Sequence, residues 1–158
     1  MPVPGKSSAT ERDNPCATDG ALSAAQPSLM NNQYIAETTK SPAQAVTDLQ
    51  ASVKQHGYGV LHIYDLKETL ASKGFPLPNA CHILEVCNPK QAAAVLTADM
   101  GMNMALPCRI SVYQDAGRTL IGMVRPTVLL ASLSKSEELK VIAEMVEKDT
   151  IAIIEAAK

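Results

Sequence analysis

Near the middle of the chain the hydrophobic period changes within a few residues. In CHILEVCNPKQAAAVLTADM, residues 81–100, the run CHILEVC alternates. His82, Leu84 and Val86 fall on one side, and Cys81, Ile83, Glu85 and Cys87 on the other, the two-residue repeat of a strand. Asn88 then offers a side-chain acceptor to the free N–H groups of a first helical turn. Pro89 suits the first helical position, where its missing N–H would be unpaired anyway. KQAAAVLTADM continues as helix. A strand that turns directly into a helix commits the chain to a mixed architecture, neither a helical bundle nor a sandwich.

The flanking segments extend the pattern. QYIAETT, residues 33–39, reads as a short strand. Ser41, Pro42 and Gln44 form a helix start with a capping box, Ala45, Val46, Leu49 and Val53 share one face, and Gly57 stops the helix. His56, in the last turn, complements the carbonyl end. YGVLHIYDL, residues 58–66, reads as a strand with Leu61 and Ile63 on one face and Val60, His62 and Tyr64 on the other. KETLASKGF makes a short helical or looped excursion that PLPN breaks. In GMNMALP the methionines Met100, Met102 and Met104 are expected to fill irregular core space or line a pocket. CRISVYQ and RTLIGMVRP form a hairpin through DAG, with Gly117 supplying positive φ. Ser134 and Glu137 form a capping box ahead of a final helix of about 20 residues, whose main apolar positions are Leu139, Ile142, Met145, Val146, Ile153 and Ile154. The order β-α-β-β-α-β-β-α predicts an α+β fold, a split β-α-β-like antiparallel sheet with helices on one face. The other face must be closed, by the final helix or by a second copy of the chain.

Composition narrows the functions such a fold can serve. With 158 residues and 46% hydrophobic content, the chain has enough material for one core. The expected division is a disordered extension over residues 1–31, interrupted by Pro, Ser, Asp and Gly, and a single domain over residues 32–158. A net charge of -2 with no basic face argues against nucleic acid as a partner. One Phe, four Tyr and no Trp leave little from which to build base- or sugar-stacking platforms. No apolar run reaches signal-peptide length or the roughly 20 residues of a membrane span, so a cytoplasmic protein with no membrane partner is expected.

The cysteines follow no metal or redox spacing. Cys16 lies in the extension, and Cys81, Cys87 and Cys108 match neither Cys-x-x-Cys nor paired zinc repeats. On one strand Cys81 and Cys87 would stand roughly 20 Å apart, too far to bond, and reduced thiols are expected. No Gly-Lys-Ser/Thr loop and no His–carboxylate pair at ligand spacing occurs, so neither a phosphate loop nor a metal site is expected.

The strand faces nevertheless gather candidates. If His62 and Tyr64, then Glu85 and Cys87, then Arg109, Ser111 and Tyr113 share the side away from the helices, a His, a carboxylate, a thiol and a guanidinium converge on a partly apolar floor, as in a small-ligand site. The alternative is a structural Glu85–Arg109 ion pair beside an ordinary strand histidine. Cys87 adjoins the Asn88 cap, near the positive end of the second helix, a place that favours thiolates. Pro89 and the Asn88 cap use up donors there, so packing against the first turn at Ala92 is the favoured reading.

The strings HGYGVLHIYDLKETLASKGF, ILEVCNPKQAAAVLTADMGMNMALPCRISVY and IGMVRP resemble the domain-of-unknown-function family 302, found in bacteria and archaea, over roughly residues 56–126. The family-like positions are Glu85, Cys87, Asn88 and Pro89 in EVCNP and Leu106, Pro107, Cys108 and Arg109 in LPCR. The resemblance implies a compact α+β domain, often a homodimer, with no established activity.

Three functions fit these features. The favoured one is a dimeric binding module that holds a small molecule or cofactor at the open sheet face, with Glu85, Cys87, Arg109, His62 and Asn88 as ligand-binding residues. Dimeric open sheets can enclose haem, with Cys87 or His62 as the iron ligand. The second is a thiol-active sulfur carrier or redox protein using Cys87. The third is a non-catalytic interaction domain that docks a partner through the C-terminal helix.

Overall fold

A computed structural model describes residues 31–158. The expected extension, apart from Asn31, and Cys16 lie outside the described residues. The strands are β1 (Gln33–Thr38), β2 (Gly59–Asp65), β3 (Cys81–Cys87), β4 (Cys108–Asp115) and β5 (Arg118–Val124). The helices are α1 (Pro42–Gln55), α2 (Leu66–Ala71), α3 (Pro89–Ala98), α4 (Pro126–Leu133) and α5 (Glu137–Ala157), and Met100–Ala105 forms a 3-10 helix.

All neighbours in the sheet are antiparallel, in the order β1-β5-β4-β3-β2. The split is therefore wide. β1 and β2 run parallel at opposite edges with three strands between them, and α1 crosses the whole sheet to join them. One face is covered: Leu49 and Val53 of α1 and Ile153, Ile154 and Ala157 of α5 pack with Leu84, Val86, Ile110, Val112 and Ile121 in one core. A second cluster joins Val95 of α3, Met102, Leu130 of α4 and the first half of α5. The final helix thus lies beside α1 on the covered face and leaves the other face open. Its apolar tail is spent in the core.

The start signals act where the sequence places them. Ser41 Oγ accepts from the Gln44 N–H at 3.3 Å, and Asn88 Oδ1 accepts from the N–H groups of Lys90 and Gln91 at 3.0 and 3.2 Å. His56 caps the end of α1, with Nδ1 2.8 Å from the Ser52 carbonyl, and Gly57 follows at φ 75°. The β4–β5 turn is Ala116–Gly117, both at positive φ, 48° and 77°.

Two expectations change. Helix α5 is capped by Ser136, whose Oγ accepts from Leu139, and not by Ser134. Ser134 instead ends α4, and its Oγ accepts from the Ser136 N–H. On β2 the register slips between Val60 and His62, so Val60 pairs with Val86 while His62 pairs with Glu85. Leu61 is left without a partner and is 61% exposed. Val60 and Ile63 consequently share the core side, where alternation alone would separate them.

Candidate functional site

Directly paired residues of an antiparallel sheet point to the same face, so the register sorts the candidates. Glu85 stands between His62 on β2 and Arg109 on β4. One row along, Tyr64, Ile83, Ser111, Gly122 and Ile35 cross the sheet from edge to edge. A further row runs Cys81, Tyr113, Leu120 and Glu37. These rows alternate with Leu84, Ile110 and Ile121 of the core and so form the face opposite α1 and α5, with α4 reaching it only at one end among the described residues. The β2 bulge keeps His62 there while Val60 and Ile63, on either side of the Leu61–His62 pair, turn inward and Leu61 stays exposed.

The polar contacts on this face are loose. Arg109 Nη2 lies 3.5 Å from Glu85 Oε1, with the Arg109 side chain 66% exposed and that of Glu85 14% exposed. This is the one side-chain contact of Arg109 among the described residues, weak at that length, and it leaves most of the guanidinium's donors unused by them. The His62 ring stands edge-on to Tyr64, with centroids 4.4 Å apart.

A cleft of about 800 Å³ occupies the open face. Its floor is Ile35, Ile83, Ser111, Tyr113 and Gly122. Gly122 lets β1 approach closely there, since a Cβ would crowd Ile35 Cγ1 at 3.1 Å and the Tyr34 carbonyl oxygen at 3.2 Å. The connection Leu77–Ala80, which leads into β3, closes the Tyr113 end, while Met104–Pro107 and Leu129 and Leu130 of α4 close the Arg109 end. Ile35, Met104, Val124 and Leu129 line it while remaining exposed at 48%, 76%, 52% and 37%. Among the described residues that line the cleft, Arg109 is the single charged one.

On the covered side lies a space of about 40 Å³ bounded by Tyr58, Cys87, Ala92, Val95, Cys108 and Val146, among others. It is about one twentieth the size of the open-face cleft. Burial, reinforced by neighbouring Cys87, pushes the Cys108 thiol up to about 11. Tyr58 donates to Asp149 Oδ2 at 3.1 Å, and burial followed by the Asp149 charge raises its phenol above the usual range.

The five residues selected from the sequence therefore divide. Glu85, Arg109 and His62 are brought together on the open face, but only Arg109 lines the cleft. Cys87 bounds the small inner space and Asn88 caps α3. The alternation that placed Cys87 beside Glu85 fails at the last strand residue, where the chain turns into the helix. Neither Cys87 nor His62, the two haem-ligand candidates, lines the cleft. Free thiols are found at Cys81, Cys87 and Cys108, and among the described residues no group of three or more His, Cys, Asp or Glu side chains is placed to hold a metal. Sequence reasoning missed the α4 wall, although Pro126 ahead of TVLLASL was a usable helix-start signal.

The chain matches the family described as Domain of unknown function DUF302 over residues 34–157. Among solved structures it is similar to an uncharacterized conserved protein DUF302 from Bacillus stearothermophilus, at 35% identity and a TM-score of 0.77, covering 80% of this chain and 98% of that one. No curated protein matches. The chain belongs to the DUF302 family.

Proposed function

We propose that this DUF302 member is a small binding module that takes a small organic ligand in the open-face cleft. The observation that carries the reading is a concavity of about 800 Å³ floored by the sheet and closed at both ends of β4, in the size range of small-molecule sites and mostly apolar with a few polar groups. Ser111, Tyr113 and Arg109, successive open-face positions of β4, supply those groups from a rigid central strand. The homodimer expected from the sequence belongs to the same reading. Exposed Ile35, Val124 and Leu129 form an aliphatic rim that a second copy would cover, and the mass measured by light scattering tests it.

Other observations disfavour the alternatives. Cys87 bounds the small inner space, while His62, a candidate base for it, stands opposite Glu85 on the open face. Of the apolar positions of α5, Leu139, Ile142, Val146, Ile153 and Ile154 are buried within the chain rather than offered to a partner, while Val141 and Met145 stay exposed.

Amide shifts of labelled protein, followed while panels of small acids, alcohols and amines are added, test the proposal. Shifts are expected at Ile35, Ile83, Ser111, Tyr113 and Gly122. Shifts confined to the surroundings of Cys87, or no shifts at all, would overturn it.

A further inference from the structure

We infer that the ligand is an aliphatic anion: an extended hydrocarbon body with one carboxylate, its head on Arg109 and its chain along the apolar floor. The inference rests on reading the cleft as a ligand site and specifies what that site selects. Charge carries the argument. The side chains lining the cleft are aliphatic, sulfur-bearing or neutral polar apart from Arg109, and no acid among the described residues opposes an incoming anion inside the cleft. The nearest acid, Glu85, faces Arg109 from outside the lining through a single 3.5 Å contact. The guanidinium thus keeps donors for a bidentate carboxylate, the geometry for which arginine is best suited.

Shape agrees with charge. Arg109 stands at one end of β4's open-face series, and Ser111 and Tyr113 follow at two-residue steps toward the opposite end wall, so a head group on Arg109 directs its chain along the length of the cleft. Ile83 and Ile35 flank Ser111 and Gly122 in the central row. An extended chain over this row removes apolar surface from water on both partners. A cation of the same length would gain the same burial but meet Arg109, a like charge.

Calorimetric titration of the full chain with decanoate, decan-1-ol and decyltrimethylammonium, each below its aggregation limit, tests the inference. Decanoate is expected to bind at least about tenfold tighter than the cation, and added salt should narrow that gap. Arg109→Met should cost decanoate about tenfold and leave decan-1-ol unchanged. Met104→Glu, at a position 76% exposed and so tolerant of charge, should weaken decanoate more than the alcohol. If all three probes bind alike and Arg109→Met has no effect, the anion inference fails while the cleft reading stands. If no probe binds and the amide-shift panels also leave the cleft unperturbed, both fail. If light scattering gives the mass of a dimer, amide shifts on dilution fall on Ile35, Val124 and Leu129, and decanoate does not bind, the occupant is the second copy and the inference is overturned.

Discussion

At the level of single residues, Glu147 ties two helices together. It lies on α5, yet its carboxylate accepts from Arg125 Nη1 at 2.7 Å, from the Thr127 N–H at 3.1 Å and from the Thr127 hydroxyl, and so caps α4. Burial opposes the charge, but the Thr127 and Arg125 hydrogen bonds and the Arg125 charge outweigh it and hold the carboxyl below the usual range. A lowered folded-state pKa gives stability that is present above the unfolded value of about 4.3 and is lost as pH falls through the folded value. Glu147→Gln should therefore cost about 1–3 kcal/mol at neutral pH, and the gap in Tm to the wild type should close progressively below about pH 4. A gap that stays constant with pH would sink this account. Cys108 gives a second prediction: with its thiol at about 11, it should resist alkylation at pH 8 in the native protein and react only on unfolding, as read by mass spectrometry. Ala116 gives a third, since a non-glycine residue at φ 48° is strained. Ala116→Asn, which makes the Asn-Gly pair favoured in two-residue hairpins, should raise stability by about 0.5–1 kcal/mol in urea unfolding.

Among the elements, what the sequence shows and what it hides follow from range. Caps and stops act within four residues, so α1 and α3 could be read from Ser41, Pro42, Asn88 and Pro89 alone. The start of α5 could not, because Ser134 and Ser136 both suit the role and the choice depends on where α4 ends. Helix α4 itself was hidden because TVLLASL is short and almost wholly apolar, with no polar face to show a helical period, and only Pro126 marks its start. The bulge at Leu61 leaves no trace in an alternating pattern, since only the partner strand shows that a residue has gone unpaired. The site was legible to the same degree: Arg109, Ser111 and Tyr113 follow from period two, whereas the cleft's end walls depend on contacts made far along the chain. Helix α5 yields a direct test. Ile153 and Ile154 are fully buried between α1 and the sheet, so Ile153→Ala should cost about 2–5 kcal/mol. Truncation after Asp149 should unfold the domain, seen as loss of cooperative melting, and not merely alter its association.

Across the whole molecule, the asymmetry of the sheet decides what it can do. One face is closed by α1 and α5 with fully buried Leu84, Ile110, Val112 and Ile121, while the other carries the cleft. The core and the cleft are thereby placed on opposite sides of the same strands, and open-face residues can vary without emptying the core. The strand order, which no local pattern announces, puts β3, β4 and β5 inside and β1 and β2 at the edges. Native-state hydrogen exchange should show the slowest amides in β4 and its neighbours, approaching global unfolding, with β2 opening sooner. Slower exchange in β2 than in β4 would contradict the order.

The unpaired Leu61 means that β2 carries one residue more than its pairing uses. Take it away and Val60, His62, Ile63, Tyr64 and Asp65 fall into plain alternation against the same partners on β3. Shortening a strand by one position ordinarily turns its remaining side chains over; here it would leave every one where it stands. A chain one residue shorter at this point could build the same sheet and the same cleft, and an alignment gap at Leu61 would separate two lengths of one structure rather than two structures.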